Sequence, residues 1–178
     1  MNTAGELQRV HVKEKIVQLN RKFFSSLFII SFCFLLDRVS KIYVIQLLID
    51  NDLKDYFVNQ FFNLTLVWNK GIAFGLLQSE SFTYNFISIF IFIIILIILL
   101  LIFKSTKFIE ASFYSMIAGG ALGNLFDRVY YNAVPDFIDL HYKNFHWFTF
   151  NISDILITFG IISLIILDIV NSKVNKNV

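Results

Sequence analysis

Ionisable side chains interrupt or flank the apolar stretches of this chain at Asp37, Arg38, Lys41, Glu110, Asp127, Arg128, Asp136, Asp139, Asp154 and Asp168. An Asp or Arg carried into hydrocarbon costs on the order of 2.5–3.5 kcal/mol on insertion scales, so each must face water, a partner or the interior of a helix bundle. Glu110 and Asp168 lie beside Lys104, Lys107 and Lys173 and are expected to be solvated end charges. The others gather at the opposite ends of the apolar stretches. Asp154 opens the last stretch in Phe150-Asn151-Ile152-Ser153-Asp154, where a carboxylate can satisfy the orphan N–H groups of a first helical turn. Asp136, between Pro135 and Phe137-Ile138, sits in an apolar setting that demands a partner or a raised pKa. Two such aspartates at one membrane depth could share a proton, one acting as general base on water and the other as general acid. Spacing alone does not choose the pair, because Asp127 and Asp139 are equally available.

Other chemistries find little support. His141 and His146 are separated by an aromatic loop, with neither an H-E-x-x-H pattern nor a Cys/His cluster, so no metal site is expected. There is no G-x-S-x-G nucleophile elbow. Gly119-Gly120 with Gly123 is not preceded by a strand and suits helix packing better than a phosphate loop. The single cysteine, Cys33, cannot form an internal disulfide and is expected as a small buried apolar residue. A net charge of +2 does not suggest nucleic acid as a partner.

The elements that must position these residues are membrane helices. The chain is 57% hydrophobic and 16% charged with a mean hydropathy of +0.68, against about 45–50% and about 25% in soluble domains. Residues 86–103 hold Ser88 as their one polar residue and reach about 27 Å at 1.5 Å per residue, close to a bilayer core. Four transmembrane helices are expected near 23–45, 83–103, 108–127 and 152–171 of a single membrane domain, 1–178. No A-x-A-like site follows Leu36, so the first stretch reads as a span and not as a cleaved signal. In the third, Ala111, Ser115, Gly119 and Gly123 recur every four residues and form a narrow small-residue face for close helix approach.

Basic residues orient these spans. Arg9, Lys13, Lys15, Arg21, Lys22, Lys104, Lys107, Lys173 and Lys176 share one side; Arg38, Lys41, Lys54, Lys70, Arg128 and Lys143 lie on the other, in longer connections. The positive-inside rule then puts both termini in the cytoplasm. The outer segments are 46–82 and 128–151. In the first, Phe61 to Trp68 reads as a strand, Asn69-Lys70-Gly71 as a turn and Ile72 to Gly75 as a second strand. The second carries Pro135 and the aromatic residues Phe145, Trp147, Phe148 and Phe150, suiting a segment at headgroup level. The fold class expected is thus an all-α integral membrane protein of four transmembrane helices, with a small extracytoplasmic β-rich segment between helices 1 and 2.

Five ordered blocks carry a resemblance to the lipoprotein signal peptidase (signal peptidase II) family. Asp37-Arg38-Val39-Ser40-Lys41 resembles D-x-x-(S/T)-K, and Asn69 to Gly75 resembles N-x-G-x-A-F. Gly119 to Arg128 resembles G-G-A-x-G-N-x-x-D-R, Val134-Pro135-Asp136-Phe137 is similar to V-V-D-F, and Phe150 to Asp154 is similar to F-N-x-A-D. The resemblance implies an intramembrane aspartyl endopeptidase of the bacterial cytoplasmic (inner) membrane, with its active site near the outer face. Such an enzyme cleaves prolipoproteins on the N-terminal side of the diacylglyceryl-modified cysteine.

It also selects Asp136 and Asp154 as the catalytic dyad and implies substrate-binding or supporting roles for Asp37, Lys41, Asn69, Gly71, Asn124, Arg128 and Asn151. No cofactor or metal is implied; the partners are prolipoprotein substrates and membrane lipid, with no obligatory protein partner. Phe61 to Phe74 would cover an extended substrate, while Arg128 either engages its polar atoms or pairs with Asp127. Pro135 and Ser153 depart from the family's usual valine and alanine; Pro135 lacks an N–H for strand pairing, and Ser153 could hydrogen-bond Asp154. A four-span transporter, or a scaffold with outer carboxylates that bind a cation, is the alternative.

Overall fold

The computed structural model describes residues 3–71 and 81–176. Four long helices carry a four-stranded antiparallel sheet: α1 (Thr3–Asp50), β1 (Asp55–Asn59), β2 (Phe62–Asn69), α2 (Ser81–Lys104), α3 (Phe108–Tyr131), β3 (Val134–Tyr142), β4 (Phe145–Phe150) and α4 (Ile152–Lys176). The chain is therefore mostly helical and not all-α. Two of its helices, over Asn85–Lys104 and Ile152–Lys173, are long and apolar enough to cross a membrane.

α1 extends far beyond the expected 23–45. The polar residues ahead of Arg21 continue the helix, since the run from Glu6 to Lys22 is rich in Glu, Lys, Gln, Arg and Leu, which lose little side-chain freedom in a helix. At 1.5 Å per residue this adds about 30 Å of helix before the apolar stretch begins. Lys22 then donates to the carbonyls of Phe103 and Ser105 (3.0 and 2.8 Å), satisfying the C-terminal end of α2 from α1.

α3 is the central helix, packing against α1, α2 and α4. Its small-residue face explains the contact, because Ala111, Ser115, Gly119 and Gly123 are all buried. A Cβ on Gly119 would lie 2.7 Å from both the Cys33 Cβ and the Ile30 carbonyl oxygen of α1. A Cβ on Gly123 would lie 2.5 Å from Asp37 Oδ2 and Ser153 Oγ, at the junction of α1, α3 and α4. Cys33 is buried at 3% exposure, as expected of a small apolar residue. α3 ends at Asn132, which takes the left-handed conformation (φ 53°) and releases the chain into β3.

The sheet differs from the sequence expectation in its origin. Strand order is β1-β2-β3-β4, so half of it comes from the second outer connection, expected only to lie at headgroup level. β2 forms over Phe62–Asn69, one residue on from the expected Phe61 to Trp68, but its hairpin partner precedes it; the expected second strand, 72–75, lies outside the described residues. β2 is thus central, pairing with β1 on one side and β3 on the other. Pro135 fits the ladder opposite Trp68 and is fully buried. Val44 and Leu48 of α1 pack on Phe137 of β3, with Leu64, Leu66 and Ile152 around them, seating the sheet on the helix ends.

Large apolar side chains remain exposed along the helices, among them Phe24, Phe28, Phe32 and Leu35 of α1, Phe86, Phe90 and Leu100 of α2, and Phe159, Ile162 and Ile166 of α4. Such continuous apolar surface is far larger than a soluble monomer leaves open.

Candidate active site

Asp37 and Lys41 are one helical turn apart on α1 and both fully buried. Lys41 Nζ donates to Asp37 Oδ2 (2.9 Å) and across to Asp127 Oδ2 of α3 (2.6 Å). Arg38 closes the cluster, with its guanidinium on Asp37 Oδ2 (2.8 Å) and on Asp127 Oδ1. Two acids and two bases thus cancel inside the bundle, as buried charge requires. Asp127 is paired with Arg38 and Lys41, not with Arg128. Arg38 and Asp127 fall outside the supporting set that the resemblance implies; the signal for them was their charge within otherwise apolar helices.

This cluster reaches α4 in two ways. Asp37 Oδ1 accepts the backbone N–H of Ser153 (3.0 Å), capping the first turn of α4 from another helix. Lys41 Nζ also donates to Asn124 Oδ1 (2.9 Å), which turns the Asn124 amide so that its Nδ2 donates to Asp154 Oδ1 (2.8 Å). Asn151, fully buried before α4, makes a reciprocal capping box with Asp154: the Asp154 N–H donates to Asn151 Oδ1 and the Asn151 N–H to Asp154 Oδ2, both 3.2 Å. The first-turn role anticipated for Asp154 is therefore present. Ser153 takes no part in it. Its hydroxyl is buried without a hydrogen-bond partner among the described residues and faces Gly123, which corrects the expectation that it could bond Asp154.

Asn151 also holds the second aspartate, because its Nδ2 donates to Asp136 Oδ1 (2.6 Å). Asn69, at the end of neighbouring β2, donates to Asp136 Oδ2 (2.9 Å). The Asn69 Oδ1 accepts the Gly71 N–H (2.9 Å) in an Asx turn, and Arg128 at the end of α3 donates to the Gly71 carbonyl. Asn69, Gly71 and Arg128 thereby form one unit that fixes the turn after β2 beside Asp136.

Asp136 is 4% exposed. Burial lifts its carboxyl from 3.8 to about 6, and the neighbouring Asp154 charge adds to the rise, while the amides of Asn69 and Asn151 oppose it.

The carboxylates fall into two kinds. Ion pairs engage Asp37 and Asp127, and Asp139 contacts His146 and His141. The hydrogen bonds on Asp136 and Asp154 come instead from neutral amides and a backbone N–H. An acid held by amides can take up and release a proton without stranding a buried counter-charge, which is what acid–base chemistry requires.

Comparison with known proteins places this geometry. The family model for signal peptidase (SPase) II matches residues 29–170. The lipoprotein signal peptidase of Pelagibacter ubique is 45% identical over 159 residues, covering 88% of this chain and 95% of that protein. That of Anaplasma phagocytophilum is 35% identical over 134 residues, covering 75% and 85%. Two solved structures of a bacterial membrane enzyme, determined in meso, are 32% identical with TM-scores of 0.64 and 0.63, covering 85% and 81% of this chain and 90% and 91% of theirs. Motif blocks, fold and relatives agree, and the chain belongs to the signal peptidase II family of peptidases.

Proposed function

We propose that Asp136 and Asp154 are the catalytic pair with which this peptidase removes signal peptides from prolipoproteins, by an aspartic mechanism at the outer face of the bacterial inner membrane. The observation that carries this reading is the coupling of the two carboxylates through Asn151, with only neutral donors bonded to either among the described residues. Sharing one proton, the pair has an acid and a base at once. The ionised carboxylate takes a proton from water as the oxygen adds to the scissile carbonyl, and the protonated one gives its proton to the carbonyl oxygen. Collapse of the tetrahedral diol breaks the C–N bond, with a proton passing to the leaving amine. The products are the signal peptide's new carboxylate and a free amine on the lipid-modified cysteine. Two carboxylates and water complete this chemistry.

The remaining residues position the pair. Asn124 orients Asp154 and is itself held by Lys41, while Asn69 orients Asp136 within a turn tied by Gly71 and Arg128. Asp37 fixes the start of α4 and so the depth of Asp154. An extended substrate lies beneath the sheet, on the side of β2 that carries Asn69.

All four helices span the membrane in this reading. The charges of α1 and α3 that lower their hydropathy neutralise one another inside the bundle, leaving Phe24, Phe28 and Phe32 to face lipid. The exposed Trp68, Trp147 and Phe145 of the sheet suit the headgroup layer. Both termini are then cytoplasmic, the chain is one membrane domain, and cleavage falls N-terminal to the diacylglyceryl-modified cysteine. The relatives are peptidases by name, which disfavours the transporter and scaffold alternatives.

Two experiments test this. Asp136→Asn and Asp154→Asn should each lower prolipoprotein cleavage on the order of 10²–10⁴-fold at unchanged membrane abundance; near-normal turnover in either removes that residue from the mechanism. Cysteines placed at Lys54 and Lys143 in a Cys33→Ala background should label from outside the cell and one at Lys13 should not, and the reverse pattern overturns the orientation.

A further inference from the structure

The second carboxylate cluster lies on the β3–β4 hairpin, away from Asp136. His141 and His146 are opposed in the β3·β4 register, so hairpin pairing brings together imidazoles whose sequence spacing fits no helical metal motif. Their rings stack with centroids 5.2 Å apart. Asp139, two residues before His141, points its Oδ2 at both: 2.7 Å to His146 Nδ1 and 3.7 Å to His141 Nδ1. The three donor atoms lie within 4.8 Å of one another.

One carboxylate faces two imidazoles and serves one of them. The His141 side chain is 8% exposed, and its Nδ1 is buried with no hydrogen-bond partner among the described residues. Across the sheet, Asn63 of β2 is the register partner of Asp139, and its Oδ1 is likewise buried and unpartnered among those residues. A buried polar atom left unpaired costs about 1–3 kcal/mol, and a bound ion at this point would satisfy the free imidazole nitrogen beside the carboxylate, with the Asn63 oxygen on the register-paired strand. A donor set of two imidazole nitrogens, a carboxylate oxygen and an amide oxygen suits a divalent transition metal.

We propose that Asp139, His141 and His146, with Asn63 at the fourth position, bind a divalent transition metal of the zinc type. Bonds of about 2.0–2.1 Å around a tetrahedral ion put its ligand atoms about 3.3 Å apart, a separation that the 2.7 and 3.7 Å distances bracket. Closing the three donors onto one ion takes a movement of the His146 ring, and its side chain, 56% exposed, is free to make it. A cavity of about 300 Å³ bordered by Phe57, Gln60, His141 and Lys143 gives the ion an approach. Lys143 lies over the Tyr142 ring at 5.6 Å, and its charge weakens binding. The site therefore has moderate affinity.

Asp139 follows Asp136 by three strand positions, about 10 Å along β3 and on the opposite face by strand alternation. The metal thus ties β2, β3 and β4 together without touching the dyad. Its effect is on the sheet's stability, and the chemistry of the two aspartates is left unaltered.

The test is calorimetric titration of the full, tag-free chain in detergent with zinc chloride after removal of metals by EDTA. Expected are one zinc per chain and a zinc-dependent rise in thermal unfolding temperature. His146→Ala, an exposed position that folding tolerates, should weaken binding at least about tenfold and abolish that rise. His11→Ala, which removes the remaining histidine, should change neither. Cleavage by zinc-free His146→Ala should equal that of zinc-free wild type. Absence of saturable binding below about 100 μM zinc, or a loss of less than about tenfold in His146→Ala, overturns the site.

Discussion

Asp136→Asn should leave the protein at least as stable as wild type at pH 8 while abolishing cleavage. Its carboxyl rises from an ordinary 3.8 to about 6 in the folded chain, chiefly through burial. Between those values the folded protein holds a proton that the unfolded chain has released. Stability therefore falls as pH rises through this window, being greatest below about 4 and level above about 6. At 1.36 kcal/mol per pH unit, the gap is worth about 3 kcal/mol. Asparagine carries no charge and escapes this loss.

The substitution has its own cost. The Asp136 oxygens accept from both Asn69 and Asn151, whereas asparagine offers one acceptor and turns an NH₂ toward the other donor. That mismatch costs about 1–3 kcal/mol. The variant should thus be less stable than wild type near pH 4 and equal or more stable, by up to about 2 kcal/mol, at pH 8. Because the Asp154 charge contributes to the rise, the slope belongs to the pair, and the quantity to compare is the difference between the two stability curves. Reversible unfolding in mixed micelles, followed by the fluorescence of Trp68 and Trp147 from pH 4 to 8, supplies both curves. Parallel curves, with no crossing, would refute the account of why Asp136 is raised.

Three further outcomes follow from the packing. Lys41→Met leaves Asp37 and Asp127 facing Arg38 alone and should cost about 3–5 kcal/mol; adding Asp127→Asn restores charge balance and should recover more than half, so a double variant as unstable as the summed singles sinks the neutral-cluster picture. Ser153→Ala removes a buried hydroxyl with no partner among the described residues, so thermal unfolding should be unchanged or raised and the pH profile of cleavage unmoved; a shifted acid limb would return the hydroxyl to Asp154. Gly119→Ala forces α1 from α3 against the Ile30 carbonyl and should destabilise by about 1–3 kcal/mol, and a neutral result in thermal unfolding would contradict that close approach.

The helices were legible because hydropathy and the small-residue period are local. The polar start of α1 was legible too, in helix-forming residues, yet its charge drew attention away from its propensity. The sheet was less so. β1 is five residues long and reaches β2 through a turn without glycine, and β2 meets β3 only after two intervening helices. Pairing of that range leaves no mark on the spacing of either segment. Aromatic residues in 145–150 fit an interfacial loop as well as a strand, and only the β3 register decides between them. The histidines show the same limit, since nothing in their sequence spacing tells that the hairpin sets one opposite the other.

For the aspartates, the sequence supplied the residues but not their partners. Asp127 and Asp136 look alike in sequence, each a carboxylate that follows an apolar residue near the end of the third stretch; the fold then gives one two cations and the other two amides. On this difference rests the proposed choice of Asp136 and Asp154 as the catalytic pair. Asp127 is the counter-charge to Lys41 and Arg38, two buried cations that its loss would leave uncompensated. The amides around Asp136 and Asp154 impose no such tie, and burial with a neighbouring like charge raises the Asp136 carboxyl to about 6. Lys41 links the two kinds of site, because the ammonium that neutralises Asp37 and Asp127 also orients the Asn124 amide on Asp154. The charge cluster that seals the bundle is therefore also the rigid support from which the proposed catalytic pair is hung.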